Sequence, residues 1–232
     1  MRDYLLFIDT ETTGIPKDWN APYSDATSWP CSVQIAWSIY TKDGEEIRTE
    51  NHYIGDDDFE ISPESQQIHG ITREFLLEHG ESRKVVLSLL ADDLRKYQPL
   101  VIGHFMQLDY HMLGVGFYRA GMGNPLPELP TFCTMNASAN FLLMPRQRYL
   151  RLNELYERLF GTRMDDQHDA LADAQATAAC FFELVKRGDI NDEVIAQQRM
   201  PPPRELSHFR VSYKHILLLV IFIIAVLLIY LL

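Results

Sequence analysis

Apolar and polar positions along the chain of 232 residues fall into short runs that define most of its elements. Residues 4–9 read as a buried strand, and residues 33–40 and 47–54 as two further strands joined by the tight turn Lys42-Asp43-Gly44-Glu45. From Ser82 onward, Val85, Val86, Leu89, Leu90, Leu94 and Tyr97 recur at helical spacing, and Pro99 leads into a short apolar strand at 100–103. Helical patterns follow at 108–120, 152–160 and 170–186, and a turn precedes a further helix at Arg73. Three meandering strands, then strand and helix in alternation, predict an α/β fold: a mixed sheet flanked by helices.

The sharpest break in the pattern is the uninterrupted apolar run 216–232. At ~1.5 Å rise per residue it spans about 25 Å, close to a ~30 Å hydrocarbon core once the residues before it are recruited and Lys214 snorkels. A buried helix of that length would carry a polar face, and this run has none. Met200-Pro201-Pro202-Pro203 upstream cannot continue a helix and favours extended geometry. The expected organisation is a globular domain over 1–188, a linker with a Pro-rich segment over 189–214 and one C-terminal transmembrane helix over 215–232. Arg204, Arg210 and Lys214 precede the run, so the positive-inside rule puts the domain on the cytoplasmic side of a single-pass C-terminal anchor. The N-terminus lacks the long apolar stretch of a secretory signal.

A formal charge of -11 argues against a broad electrostatic grip on nucleic acid, so any such activity must rely on local sites. Cys31, Cys133 and Cys180 lie far apart with no Cys-x-x-Cys pair, which suggests neither a zinc site nor a disulfide framework.

The chemistry lies in the acids. Asp9 and Glu11 are two apart on the first strand, so both carboxylates face one way while Thr10 faces the other. Thr12-Thr13-Gly14 then supplies two hydroxyls and a permissive glycine where the strand ends. In Gly103-His104-Phe105-Met106-Gln107-Leu108-Asp109 a buried strand turns into a helix, with Asp109 in the first helical turn. His168 and Asp173, within His168-Asp169-Ala170-Leu171-Ala172-Asp173, open the last long helix of the domain.

Taken in order, these motifs resemble the DEDDh (DnaQ-like) exonuclease family, which includes polymerase proofreading subunits and RNase T-like enzymes. The resemblance covers roughly residues 4–186 and extends to Ile68-His69-Gly70-Ile71-Thr72, Thr131-Phe132-Cys133 and Leu152-Asn153-Glu154-Leu155. It implies a ribonuclease H-like fold and 3′→5′ hydrolysis of phosphodiester bonds that releases nucleoside 5′-monophosphates. One departure is visible: Phe105 and Leu108 stand where the second motif commonly has Asn and Phe.

Two carboxylates ~5 Å apart repel by about 3 kcal/mol at an effective dielectric near 20, so four clustered acids call for cations. The expectation is two Mg²⁺ or Mn²⁺ ions on Asp9, Glu11, Asp109 and Asp173, bracketing the scissile phosphate, with His168 as general base. By resemblance, Thr12 and Thr13 approach the terminal sugar and phosphate, and His69 and Ile71 flank the terminal nucleotides. Phe105 stands at a further substrate-contacting position. Arg146 and Arg148, beside Tyr149 and Arg151, form the densest basic cluster in the domain and are read as holding the incoming strand. The segment 15–32, with Trp19, Tyr23 and Trp29, is read either as a wall of the site or as packing over the sheet edge. The expected partner is a nucleic acid with a free 3′ end, single-stranded DNA first and RNA second. Two alternatives stay open: trimming of RNA or oligoribonucleotide 3′ ends, and a non-catalytic nucleic-acid-binding module.

Overall fold

The computed structural model describes residues 1–138, 149–164 and 167–198. Among them, five strands form one sheet in the order β3-β2-β1-β4-β5: β1 (Tyr4–Thr12), β2 (Ser32–Thr41), β3 (Glu46–Tyr53), β4 (Leu100–Gly103) and β5 (Thr131–Cys133). β1, β2 and β3 run as an antiparallel meander, whereas β4 and β5 lie parallel to β1. Gly44, at φ 92°, makes the turn between β2 and β3.

The longer helices are α3 (Arg83–Tyr97), α4 (Met106–Arg119), α6 (Leu152–Phe160) and α7 (Ala170–Arg187). Shorter ones are α1 (Pro63–His69), α2 (Arg73–His79), α5 (Thr134–Ala137) and α8 (Asp192–Gln197). Side-chain hydroxyls of Ser62, Thr72 and Ser82 cap α1, α2 and α3. Alternation along β1 sorts the core into two layers. Leu6 and Ile8 pack with Leu87, Leu90 and Leu113 from α3 and α4 on one face. Leu5 and Phe7 pack with Leu155 and Phe181 from α6 and α7 on the other. A slip of one residue would exchange the faces, so burial on both sides fixes the register that aims Asp9 and Glu11.

Two boundaries differ from the pattern in ways that matter for the site. β1 runs on to Thr12, pairing Asp9 with Ala36 and Glu11 with Gln34 of β2, so both acids sit on a paired strand and not on a loose end. α4 begins at Met106, two residues before its apolar periodicity starts, because Phe105 adopts a left-handed backbone (φ 69°, ψ 42°) that turns the chain straight out of β4.

Packing also continues past Gly188. Ile190 is buried, Val194 and Ile195 of α8 lie against the α6–α7 layer, and Cys133 N–H donates to Gln198 Oε1 at 3.0 Å. The first ten residues of the expected 189–214 linker thus lie along the domain, with the Met1 amino group paired to Asp192. The expected transmembrane helix over 215–232 lies outside the described residues. Among those described, no helix is long and apolar enough to cross a membrane.

Candidate active site

β4 pairs with β1 only along Leu5–Phe7, so beyond Phe7 the end of β1 is flanked in the sheet by β2 alone. The notch left beside Asp9 is where a carboxylate from the other face of the sheet enters. Asp109, in the first turn of α4, is 3% exposed, and its Oδ1 accepts a 2.9 Å hydrogen bond from the Thr10 hydroxyl. Thr10 does face away from Asp9 and Glu11, as alternation requires, and that direction lets it orient the third acid. The approach also depends on Gly103: a Cβ there would lie 3.1 Å from Asp109 Oδ2 and 3.0 Å from Met106 Sδ.

The fourth acid arrives from the opposite face on α7. His168 takes a left-handed backbone (φ 67°), Asp169 caps the helix by accepting from the N–H groups of Leu171 (3.1 Å) and Ala172 (3.0 Å), and Asp173 follows in the first turn. Ligand atoms of Glu11, His168 and Asp173 lie within 4.8 Å of one another, a group able to hold a metal ion.

Electrostatics bind the acids into one unit. Burial pushes the Asp9 carboxyl well above the usual carboxylate range, and Asp109, Asp173, Glu11 and Asp169 push it further. Burial likewise raises Glu11 to about 8, helped by Asp173, Asp109 and Asp169. Asp109 rises to about 7 by burial, against the hydrogen bond from Thr10 that lowers it. Asp173 also rises to about 7 by burial, with the His168 backbone pulling the other way. Without a cation the cluster therefore keeps protons near neutrality. The donor set, four carboxylates with one imidazole at its rim, fits a hard divalent ion such as Mg²⁺ or Mn²⁺.

The five expected catalytic residues thus converge at the end of β1, and the expected substrate contacts divide. The Thr12 hydroxyl donates to Gly14 O at 2.6 Å, and Thr13 is clamped to Cys31, its hydroxyl accepting the Cys31 N–H at 3.0 Å. His69 borders the site: burial holds its imidazole below the usual range, and His168 lowers it further. Ile71 is buried with Val33 and Leu76 in a small core under the turn, while Ile68 is 57% exposed. Phe105 packs on Trp19, with ring centroids 5.9 Å apart. Trp19, Tyr23 and Trp29 all pack around His111 of α4, so the segment 15–32 is held against the helix that carries Asp109. Arg146 and Arg148 lie outside the described residues. Sequence reading missed the supports, Thr10, Gly103 and Gln34. A threonine and a glutamine inside strand patterns give no local sign of partners 99 and 135 residues away, and Gly103, at the end of its strand, does not announce that its missing Cβ makes room for Asp109.

A family model for exonucleases, RNase T, matches residues 6–181. The chain belongs to this exonuclease family. The exonuclease fold recurs in solved structures. The zinc-bound E. coli exonuclease I–single-stranded DNA complex superposes with a TM-score of 0.66 at 21% identity, covering 84% of this chain and 42% of that one. The nuclease domain of 3′hExo, a DEDDh family member bound to rAMP, gives 0.63 at 17% identity over 81% of this chain and 94% of that one. A full-length 3′-exonuclease gives 0.62 at 18% identity, covering 81% and 62% respectively. The chain spans about two-fifths of the length of the exonuclease I chain it matches. No curated protein sequence matches.

Proposed function

We propose that this exonuclease removes nucleotides from the 3′ end of single-stranded nucleic acid, releasing nucleoside 5′-monophosphates. The observation that carries the reading is the convergence of Asp9, Glu11, Asp109, Asp173 and His168 at the end of β1. The four carboxylates would hold two Mg²⁺ or Mn²⁺ ions, which supply the positive charge that activates water and stabilises the departing 3′-oxygen. His168, exposed at the entrance of α7, takes the proton from the attacking water and passes it to solvent. The Asp109 carboxylate is kept as an acceptor by the Thr10 hydroxyl, and His69 with the Thr12-Thr13-Gly14 turn borders the place of the terminal nucleotide. The 3′→5′ direction is supported by the order and spacing of the DEDDh motifs.

Single-stranded DNA is the first substrate class, the one that E. coli exonuclease I holds in its complex. RNA is the second, favoured by the rAMP held in the 3′hExo nuclease domain, which this chain matches along nearly its whole length. We further propose that the apolar run 216–232 holds the enzyme at a membrane, with Arg204, Arg210 and Lys214 on the cytoplasmic side.

A degradation panel tests the reading: 5′-labelled single-stranded DNA, duplex DNA, RNA and dinucleotides, each with Mg²⁺, Mn²⁺ or EDTA. Stepwise shortening that needs the metal and disappears in Asp9→Ala is expected. Endonucleolytic cuts, or activity persisting in that variant, would refute it.

A further inference from the structure

Gln34 sits on β2 directly across from Glu11 and is 1% exposed, yet every polar hydrogen and its oxygen are used. Its amide nitrogen donates to Asp169 Oδ2 and to Asn51 Oδ1, both at 2.9 Å, while its Oε1 accepts the Ala170 N–H at 3.2 Å. The Ala170 N–H can only donate, so the orientation of the amide is fixed. Asp169 spends its other oxygen on the cap of α7, and the residue before it is His168 in a left-handed conformation. For a residue with a Cβ that conformation costs about 1–2 kcal/mol and persists only where the surroundings over-determine it. The bonds from Gln34 are the part of those surroundings that ties α7 to the strand beside Glu11.

We propose that Gln34 is a positioning residue for the reaction: its amide moors the entrance of α7 to β2 and so holds the His168 backbone in the turn that keeps the imidazole among Glu11 and Asp173. The inference rests on the proposed role of His168 as general base. A glutamate cannot substitute, because it would remove both donated hydrogen bonds and bring a further carboxylate beside Glu11 and Asp169. Reversing the polarity of the pair should restore the link. In Gln34→Glu/Asp169→Asn the new amide donates to the new carboxylate, net charge is unchanged, and the remaining side-chain oxygen at 169 still caps the helix.

The test uses the full chain with Mn²⁺ and a 5′-labelled single-stranded oligonucleotide. Gln34→Glu and Asp169→Asn should each lower kcat by about 10- to 100-fold with KM within about threefold, because alignment of the base and not substrate binding is lost. The double variant should return to within about threefold of wild type. Gln34→Met, uncharged and of similar volume, replaces Gln34→Glu as the single variant if the added charge prevents folding. Singles as active as wild type would overturn the proposal, and so would a double variant no faster than the singles at a wild-type thermal midpoint. Wild type that releases nothing from any 3′ end would instead break the functional reading. Histidine NMR then carries the test: a His168 imidazole resonance that shifts in the singles and returns in the double supports the mooring, and one that never moves overturns it.

Discussion

Helices α4 and α7 each enter the site behind a non-glycine residue in left-handed conformation, Phe105 at φ 69° and His168 at φ 67°, and each places a carboxylate at its fourth position, Asp109 and Asp173. They differ in what steadies the entrance. α7 has an aspartate cap whose second oxygen is tied to Gln34, a hydrogen-bonded mooring. α4 has no side-chain cap; its entrance rests on the Phe105–Trp19 ring contact, the glycine at 103 that admits Asp109, the bond from Thr10, and the neighbouring His104, whose ring nitrogens pair with the Thr134 hydroxyl and Leu150 O, both at 3.0 Å. Strain of about 1–2 kcal/mol is thus carried twice in one small site, once beside a moored helix cap and once beside an uncapped turn held by ring packing and by the bonds of His104. The exposed left-handed residue stands at the capped entrance and is the one that offers its side chain for proton transfer.

The largest expected effect treats both entrances alike. Asp109→Asn and Asp173→Asn should each lower nucleotide release by about 10³-fold or more, since either change removes a ligand from a shared metal site. Single-turnover rates at saturating Mn²⁺ check this, and a loss confined to one of the two would mean the carboxylates do not share an ion.

In EDTA the acids should do the opposite to stability. Glu11 titrates near 8 in the folded protein and near 4 unfolded, so as pH rises the unfolded chain releases its proton first. Its contribution is favourable at low pH and is lost between about pH 4 and pH 8. Glu11→Gln should therefore raise the metal-free thermal midpoint over wild type by an amount that grows from pH 5 to pH 8. A gap that stays constant or shrinks would show that the carboxylate is not held in its protonated form.

Weaker perturbations should separate the two entrances. Gly103→Ala forces a Cβ against Asp109 Oδ2 and should cut kcat by about tenfold through α4 alone, with weaker Mn²⁺ binding as the companion measurement. Asp169→Ala strips the cap of α7 and should cost about 1 kcal/mol in chemical denaturation. The smallest effect is expected for Phe105→Asn. Asparagine suits the left-handed backbone better than phenylalanine does, and this gain offsets the lost contact with Trp19, for a net change under about 1 kcal/mol.

Much of this was legible in the sequence, for a physical reason. The strand 100–103 and the helix 152–160 appear where periodicity puts them, and the family motifs name all five residues that converge. Long-range partners were not legible. Thr10 bonds Asp109 because β4 ends early, and Gln34 moors α7 because β2 passes under it; both follow from tertiary geometry and not from neighbours in the chain. The start of α4 was misplaced because Phe105, a poor residue for φ > 0, turns the backbone where Asn would have signalled a turn. α1 escaped because Pro63–His69 carries a single aliphatic residue, Ile68, and so shows no apolar periodicity, although Ser62 and Pro63 are good start signals.

Anomalous diffraction from a manganese-soaked crystal tests the central claim most directly. Manganese should lie at the end of β1, with oxygens of Asp9 and of at least one carboxylate from each of α4 and α7 at about 2.0–2.2 Å, the range for small hard divalent ions. Manganese bound elsewhere at saturating concentration, or bound by Glu11 and Asp173 with Asp109 turned away, would contradict the account.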